Sequence, residues 1–435
     1  MQLSSNLALD EATRHVLFHH HQTSGWITLA NKEKSGRWKQ HHYQREQLPL
    51  EIPSWLAKSN DVFFSQNTFY KPQRKIENIR QLKALYVDID CHNLNYDPHW
   101  VAEKLNLEVF QETLPTPNHI IYSGRGLVCI WLIEPVPHQA LPLWQVVQTY
   151  FYEQLKYVGA DKKSIDSTRV FRIAGSVNSK SGKSVNVEYR HDYRYSLRDL
   201  QTEYLPELSP FTSNTTLKVN RKTKITHIYN TLNLHYTRLR DITKLVELRK
   251  YDLKGYRETI CFLYRYWSCC FTEDPEVSLT QMIDFNNEFI EPLLIGELTR
   301  GTKSAENAWK AKNNQQANEE ARKKGYPGAG YNLTNQTIIQ WLDITPEEQI
   351  HLETIIDSEE KRRRKRERDK NAFRKKKGSI SREVYLEQQT DQTEDMLWQL
   401  KTAIERHPRL SNVKLAKLLG VSESYIRKLK VNLDF

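Results

Sequence analysis

The sequence predicts an α+β N-terminal domain built on a split β-α-β sheet, an all-α segment after it, and a C-terminal helix-turn-helix. Three observations carry this. Between residues 84 and 190 the pattern runs strand, helix, strand, strand, helix, strand. Beyond residue 225 apolar residues recur at spacings of three and four. Residues 410–430 hold two short amphipathic stretches with Gly420 between them. The expected boundaries are 1–205 for the α/β domain, 225–358 for the helical domain, 359–388 for a basic linker and 389–435 for the helix-turn-helix.

The first element is the run Ala84 to Val87, a buried strand that ends on Asp88-Ile89-Asp90. Side chains alternate along a strand, so the two carboxylates share one face. The stretch 99–110 predicts a helix, 118–124 and 126–133 a strand pair joined at Ser123-Gly124-Arg125-Gly126, 140–158 a helix and 184–190 a last strand. That order implies an antiparallel sheet with its helices on one face and the other face free for a ligand. In the helical domain the runs 256–270 and 278–290 predict helices, and 331–356 predicts two more. The second of those two starts at Thr345-Pro346-Glu347-Glu348, with a cap, proline in the first turn and acids beside it. At the C-terminal end Leu415, Leu418, Val421, Ile426 and Leu429 are the expected core, and Ser422 is the expected cap of the second helix.

The chain of 435 residues carries a net charge of +11, which favours a polyanionic partner. Much of the excess sits in residues 361–377, where 12 Lys and Arg face two acids. That block reads as a solvated, self-repelling linker or exposed helix, as a nuclear-localisation signal, or as a phosphate-contacting segment. The five cysteines form no C-x-x-C pair, which argues against a structural zinc site and suits a reducing compartment. Neither a signal peptide nor a membrane-spanning run is expected, so the reading is cytoplasmic, with DNA or RNA as the polyanion and no membrane partner.

Two carboxylates one residue apart repel unless a cation lies between them. Mg²⁺ or Mn²⁺ takes oxygen ligands, commonly one or two carboxylates plus substrate phosphates. Asp88 and Asp90 are therefore expected to be metal ligands and catalytic, with Asp166 as a third and Asp161 as its alternative. An Asp-x-Asp alone also suits a nucleotide-sugar transferase, or two solvated acids at a strand end. Its company narrows the choice. The glycine-bearing turn Ser123, Gly124, Arg125 and Gly126 suits a phosphate, and Arg169, Arg172, Asn178 and Lys180 supply further phosphate contacts, with Lys183 beside them. Positions three apart on a regular strand face opposite sides, so either the chain bends between Arg169 and Arg172 or only one of them reaches the site. Acids for metal and cations for phosphate fit nucleotidyl transfer. In the helix-turn-helix Ser422, Ser424, Tyr425, Arg427 and Lys428 are the expected DNA contacts, with packing or dimerisation as the other use of the same helix pair.

Taken together, LYVDID (85–90), YSGRGLVCIWLI (122–133) and IDSTRVFRIAGSVNSKSG (165–182) resemble, in order and spacing, the three motifs of the archaeo-eukaryotic primase superfamily, and most of all replication proteins of Gram-positive plasmids and integrative elements. The resemblance covers about residues 60–200, and the segments after it also look like that family. It implies a primase-polymerase-like fold, metal ligation by Asp88, Asp90 and Asp166, nucleoside triphosphates and DNA (origin duplex and single-stranded template) as partners, and primer synthesis or extension at replication initiation. Where related sequences place a triphosphate-contacting histidine in the second motif, this chain has Val128. The alternative expectation is thus a catalytically inactive origin-binding initiator that recruits host replication proteins. No G-x-x-x-x-G-K-[ST] motif is present, so a helicase would be a host partner.

Three other readings are weaker. His19, His20 and His21 lack the hydrophobe between outer histidines that a rolling-circle nickase would carry. The aromatic and basic run 63–80 is either a template track or core with a basic rim. A sequence-specific regulator would rest on the helix-turn-helix alone and leave the first 200 residues unexplained.

Overall fold

The computed structural model describes residues 2–32, 38–110, 112–208, 224–376, 382–408 and 410–431. In chain order the N-terminal part comprises α1 (Gln2–His19), β1 (Ile27–Lys32), β2 (Trp38–Tyr43), α2 (Leu48–Lys58), β3 (Val62–Ser65), β4 (Thr68–Phe69), β5 (Ile79–Ile89), α3 (Pro98–Glu108), β6 (His119–Tyr122), β7 (Leu127–Pro137), α4 (Leu141–Leu155), β8 (Val170–Arg172), β9 (Asn186–Tyr189) and α5 (Leu197–Tyr204). The strands form two antiparallel sheets, β2-β1-β3-β8 and β4-β5-β7-β6-β9.

Within the larger sheet β5, β6 and β7 form the expected split unit, with β7 inserted between two parallel strands. The last strand, β9, closes on the outer edge of β6, while β4 holds the edge beside β5. Because β4 is only two residues long, β5 has an open edge beyond Leu82. An open edge leaves backbone groups unpaired, and here other groups take them. Trp144 Nε1 on α4 donates to the Ala84 carbonyl, and the Gln148 amide exchanges two hydrogen bonds with Tyr86 N–H and C=O, as a neighbouring strand would. Farther along, Asp161 N–H donates to Asp88 O at 2.8 Å and Asp90 N–H donates to Gly159 O at 3.0 Å.

The expectation of a sheet face left free is corrected in one respect. Asp88, Ile121 and Val128 share a face by register, and that face looks across a cleft at the smaller sheet. The smaller sheet has its own core with α1 and α2, built from Ala12, Val16, Leu29, Ile52 and Phe64 among others. The end of α1 is fixed by three cations from three places: Arg194 Nη2 to Phe18 O (2.7 Å), Arg45 Nε to His20 O (3.0 Å) and Lys83 Nζ to His21 O (2.6 Å). Cations suit the carbonyl-rich, partly negative end of a helix.

The helical part runs α6 (Lys224–Leu248), α7 (Arg257–Thr272), α8 (Pro275–Asn286), α9 (Ile295–Gly301), α10 (Lys303–Lys312), α11 (Gln315–Lys323), α12 (Asn335–Leu342) and α13 (Pro346–Ile350). Thr345 forms a capping box with Glu348 at the start of α13, as its sequence indicates. These helices share one hydrophobic cluster with the larger sheet, and residues 1–356 form one compact unit. Lys71–Glu247, Lys75–Glu288 and Tyr264–Glu77 contacts join the two parts.

Residues 357–435 form a second compact unit: α14 (Ser358–Lys376), α15 (Arg382–Arg406), α16 (Asn412–Leu419) and α17 (Glu423–Val431). The basic block thus lies largely on a helix, and of its residues Lys377 lies outside the described ones. Leu400, Leu415, Ile426 and Leu429 form the core of the last three helices. Leu418, expected in that core, is 56% exposed, and Leu419 packs there instead, one helical turn on from Leu415. Gly420 ends α16 at φ +69°, a backbone conformation that glycine adopts freely. Ser422 Oγ accepts from Tyr425 N–H at 3.2 Å, in the capping position the sequence assigns to it.

Candidate active site

The cleft between the two sheets has a volume of about 510 Å³. Asp88, Ile121, Val128 and Ser123 line it from the larger sheet, Lys32, Trp38, Phe63 and Arg172 from the smaller one, and Asp61, Arg169, Ser179 and Lys180 from the connecting segments. Asp88 and Asp90 are both partly exposed, whereas Ile89 between them is fully buried; Asp88 lines the cleft, while Asp90, the residue after β5, is not among its lining residues. Burial pushes the Asp88 carboxyl up to about 7; Arg169 draws it down, and Asp90 and Asp161 push it up further. His92 Nδ1 lies 3.8 Å from Asp90 Oδ1.

Asp166 is nearly buried and turned toward its own loop. Its Oδ1 accepts from Thr168 N–H (3.0 Å) and Thr168 Oγ1 (2.7 Å), and its backbone carbonyl accepts from Tyr86 Oη at 2.5 Å. Arg169 lies between two acids, 3.5 Å from Asp166 Oδ2 and 3.9 Å from Asp161 Oδ2. Asp161 rides on the backbone segment that pairs with the open edge of β5, so it flanks the Asp88 end of that strand. Among the described residues no three or more His, Cys, Asp or Glu side chains converge as a metal-holding set. Asp88 and Asp90, one residue apart, are the carboxylates that would hold a divalent cation here, since Mg²⁺ commonly takes one or two carboxylates plus substrate phosphates.

Arg169 and Arg172 both line the cleft, Arg169 from just before β8 and Arg172 from its end. Arg169 sits in the turn before β8, and only Val170 to Arg172 are strand. Arg172 donates through Nε (2.9 Å) and Nη2 (2.8 Å) to Asp61 Oδ1, and its guanidinium lies 4.8 Å over the Phe63 ring. Burial alone would raise Asp61, but hydrogen bonds from Ser179 and Arg172 hold it below the usual carboxylate range. Lys32 stands 5.9 Å over the Trp38 ring, which packs edge-on against Phe63.

Asn178 is buried and joins two loops: its Nδ2 donates to Ser123 O at 2.6 Å and its Oδ1 accepts from Lys180 N–H at 3.0 Å. A Cβ at Gly124 would fall 2.7 Å from Ser181 Oγ, and one at Gly126 would run into the Ile89 carbonyl. The two glycines thus let the turn close onto its neighbours. Ser123 lines the cleft; Gly124, Arg125 and Gly126 are not among its lining residues, and the Arg125 carbonyl accepts from His92 N–H. His119 shares the sheet face of Val128 but is enclosed by His15, Phe18 and His19, away from the cleft.

Lys32, Trp38, Asp61 and Phe63 are not recognisable from the sequence as cleft residues, because strand β8, which brings their sheet to Asp88, follows them by more than a hundred residues. The one available signal is the basic and aromatic composition of 63–80. Most of that run is used internally: Phe64 and Phe69 are core, Arg74 Nη1 donates to Thr168 O, and Lys71 and Lys75 pair with glutamates of the helical part. In the C-terminal unit Ser422, Ser424, Arg427 and Lys428 are exposed on or just before α17, Tyr425 is half-buried against the core, and Arg427 pairs with Glu423.

A two-sheet cleft with Asp88 on one wall and Lys32, Arg169, Arg172 and Lys180 around it is a candidate site for phosphate and cation binding. No family model matches the chain. A curated replication protein of Clostridium perfringens is 41% identical over 337 residues, covering 78% of this chain and 77% of that relative. The chain belongs to that family of replication proteins, in keeping with the resemblance drawn from its motifs. Among solved structures, the AEP domain of the cyanophage S-2L primase-polymerase aligns at TM-score 0.35 and 14% identity, over 44% of this chain and 96% of that one. The catalytic domain of primase RepB′ in complex with initiator DNA aligns at TM-score 0.32 and 14% identity, over 45% of this chain and 94% of that one. Likenesses this distant leave the family assignment resting on the Clostridium relative.

Proposed function

We propose that this protein initiates replication of a plasmid or other mobile element and that its N-terminal part makes or extends a primer by nucleotidyl transfer. The observation that carries the reading is the cleft itself, with Asp88 on one wall, Arg172 on the other, and Arg169 and Lys180 on the connecting segments. Asp88 and Asp90 would hold Mg²⁺ or Mn²⁺, which would neutralise charge on a leaving pyrophosphate and lower the pKa of an attacking hydroxyl. The chain's own groups do the rest. Arg172, fixed by Asp61, and Lys180 and Ser179 on the adjoining loop are placed to hold a triphosphate. Trp38 and Phe63, with Lys32 and Arg172 over their rings, line the same side and would be the aromatic groups nearest a base. Asp161 and Asp166 hold Arg169 against the acid pair, as positioning residues.

In this reading α17 enters the major groove of an origin duplex through Ser422, Ser424, Arg427 and Lys428, with Tyr425 beside them. Host proteins, a helicase among them, would complete the replisome. No helix among the described residues is long and apolar enough to cross a membrane, and a cytoplasmic site of action fits a DNA substrate.

One observation favours a second reading, a non-catalytic initiator that binds DNA and recruits host enzymes: Val128 is buried directly opposite Asp88, at the position where the motif this stretch resembles implies a histidine. Nucleotide incorporation on single-stranded templates, with Mg²⁺ or Mn²⁺ and with or without a primer, separates the two. Incorporation that disappears in Asp88→Ala/Asp90→Ala supports the enzyme. None from folded, DNA-binding wild type, across nucleotides and origin sequences, leaves the recruiting initiator.

A further inference from the structure

A second concavity, about 420 Å³, opens on the helical part and belongs to neither the cleft nor the proposed DNA contacts. Glu258 and Phe262 of α7, Gly301 at the end of α9, Tyr331 and Trp341 of α12 line it. The rings of Phe262 and Tyr331 meet at 88° with centroids 5.2 Å apart. Tyr331 is held in place through its backbone: its N–H donates to Tyr266 Oη (3.1 Å), and that hydroxyl donates to its carbonyl (3.0 Å). Yet Tyr331 is 40% exposed and Trp341 44% exposed, two large aromatics presented to solvent around a hollow.

The carboxylate of Glu258 is exposed and lies beside the rings. A Cβ at Gly301 would fall 2.7 Å from Glu258 Oε1, so Glu258 lies against the end of α9 and a methyl group there would push its carboxylate aside. The cations nearest in sequence are engaged elsewhere: Arg257 with Glu291, Arg300 with the Gly296 carbonyl and Lys303 with Glu306. Glu258 forms no ion pair with any of the described residues, which leaves an acid and three π faces around one space.

Aromatic faces attract cations through their quadrupole, and a carboxylate adds charge and hydrogen-bond acceptors. A guanidinium, planar and weakly hydrated, can stack on rings and meet a carboxylate at once. We propose that this pocket binds the guanidinium of an arginine side chain presented by a partner protein. The negative charge disfavours a phosphate, and a neutral nucleobase would leave Glu258 without a charge partner. The site would give the initiator a protein-docking point remote from its chemistry.

The test uses the full chain labelled with 5-fluorotryptophan, with the Trp341 resonance assigned through Trp341→Phe. Nα-acetyl-arginine methylamide is titrated against its citrulline counterpart, which has the same shape without the charge. The expected result is a saturable shift of the Trp341 resonance with the arginine probe, a response to citrulline at least about tenfold weaker, and a similar weakening in Glu258→Gln. Gly301→Ala should also weaken binding while the remaining tryptophan resonances stay put, which shows that the fold is intact. An equal response to citrulline, no saturable response to arginine, or a shift produced by thymidine or adenosine instead would overturn the proposal.

Discussion

Asp88 on β5 stands in direct register with Val128 on β7, so the first acid of the cleft faces an isopropyl group across the strand pair. Both line the same cavity, and Ile121 beside Val128 extends the apolar wall. The cations lie on the opposite wall and loops. A phosphate chain in this cleft would meet no cation from the Asp88 wall. Val128→His should add a donor on that wall. A hydrogen bond to a charged group contributes about 1.5–3 kcal/mol, so triphosphate affinity should rise about tenfold or more. Val128→Leu, of similar polarity to wild type, should leave it unchanged. Calorimetric titration of a nucleoside triphosphate into each variant decides this, and equal affinities would show that the apolar wall does not limit binding.

The same acid sets a pH dependence. The folded protein raises Asp88 from 3.8 to about 7, so the fold prefers its neutral form. Its contribution to stability is present below the unfolded value, is lost as pH rises from about 4 to 7, and stays lost above that. Asp88→Asn should therefore melt higher than wild type at pH 8 without metal, by at least about 1 kcal/mol, and no higher at pH 3.5. Metal binding runs the other way, because a proton competes for the carboxylate. Mn²⁺ affinity should fall about tenfold per unit below pH 7. Thermal melts across pH with and without Mn²⁺ test both statements, and a pH-independent difference between Asp88→Asn and wild type would contradict the first.

Asp61 holds Arg172 by two hydrogen bonds and accepts a third from Ser179 N–H at 3.3 Å, tying an arginine and the 178–183 turn to one carboxylate. Asp61→Ala removes that anchor while adding net positive charge to the cleft. If long-range charge dominated, triphosphate affinity would increase. If placement dominates, it should weaken by about three- to tenfold, since a mobile arginine must be ordered on binding. We expect the weakening, with KM affected more than kcat and Asp61→Asn intermediate. A KM at or below that of wild type would show that the pair restrains rather than positions Arg172.

Much of this site was legible because two periodicities are strong. β5, β6 and β7 alternate or run apolar, and the helix at 141–155 shows its buried face, so the strands carrying Asp88 and Ser123 emerge from pattern alone. The smaller sheet was not legible. β2, WKQHHY, has no apolar face to betray it, and its sheet is completed by β8, remote in sequence. Nor could the sequence show that Gln148 and the Gly159–Asp161 backbone cover the open edge of β5, which is what brings Asp161 to Asp88. Both arginines reach the cleft because strand geometry starts only at Val170, a boundary finer than patterns resolve.

The histidines of α1 set a second pH dependence, opposite in sign. His15 accepts from Ala174 N–H at 3.1 Å, His19 Nε2 meets Gln66 O at 2.9 Å and His20 Nε2 meets Ser65 O at 2.8 Å, all fully buried. His119 on β6 lies with its ring centroid 5.3 Å from that of His15. Burial lowers His15 to about 3 and holds the other three well below their ordinary value, and Arg194 adds to this at His20 and His119. The unfolded chain takes up protons near pH 6.5 and the folded chain does not, so the stability these groups contribute is complete above 6.5 and is lost as pH falls toward 3. Each histidine costs up to about 1.4 kcal/mol per pH unit in that window. The N-terminal unit should therefore lose its fold cooperatively between about pH 5 and 4, a range that surface carboxylates enter only at its lower end. His119→Leu removes one of the four and keeps the packing, so its acid midpoint, followed by circular dichroism, should move to lower pH. A midpoint unchanged in His119→Leu, with native spectra at pH 7.5, would place the acid lability elsewhere, with His15, also lowered by burial, the next group to replace.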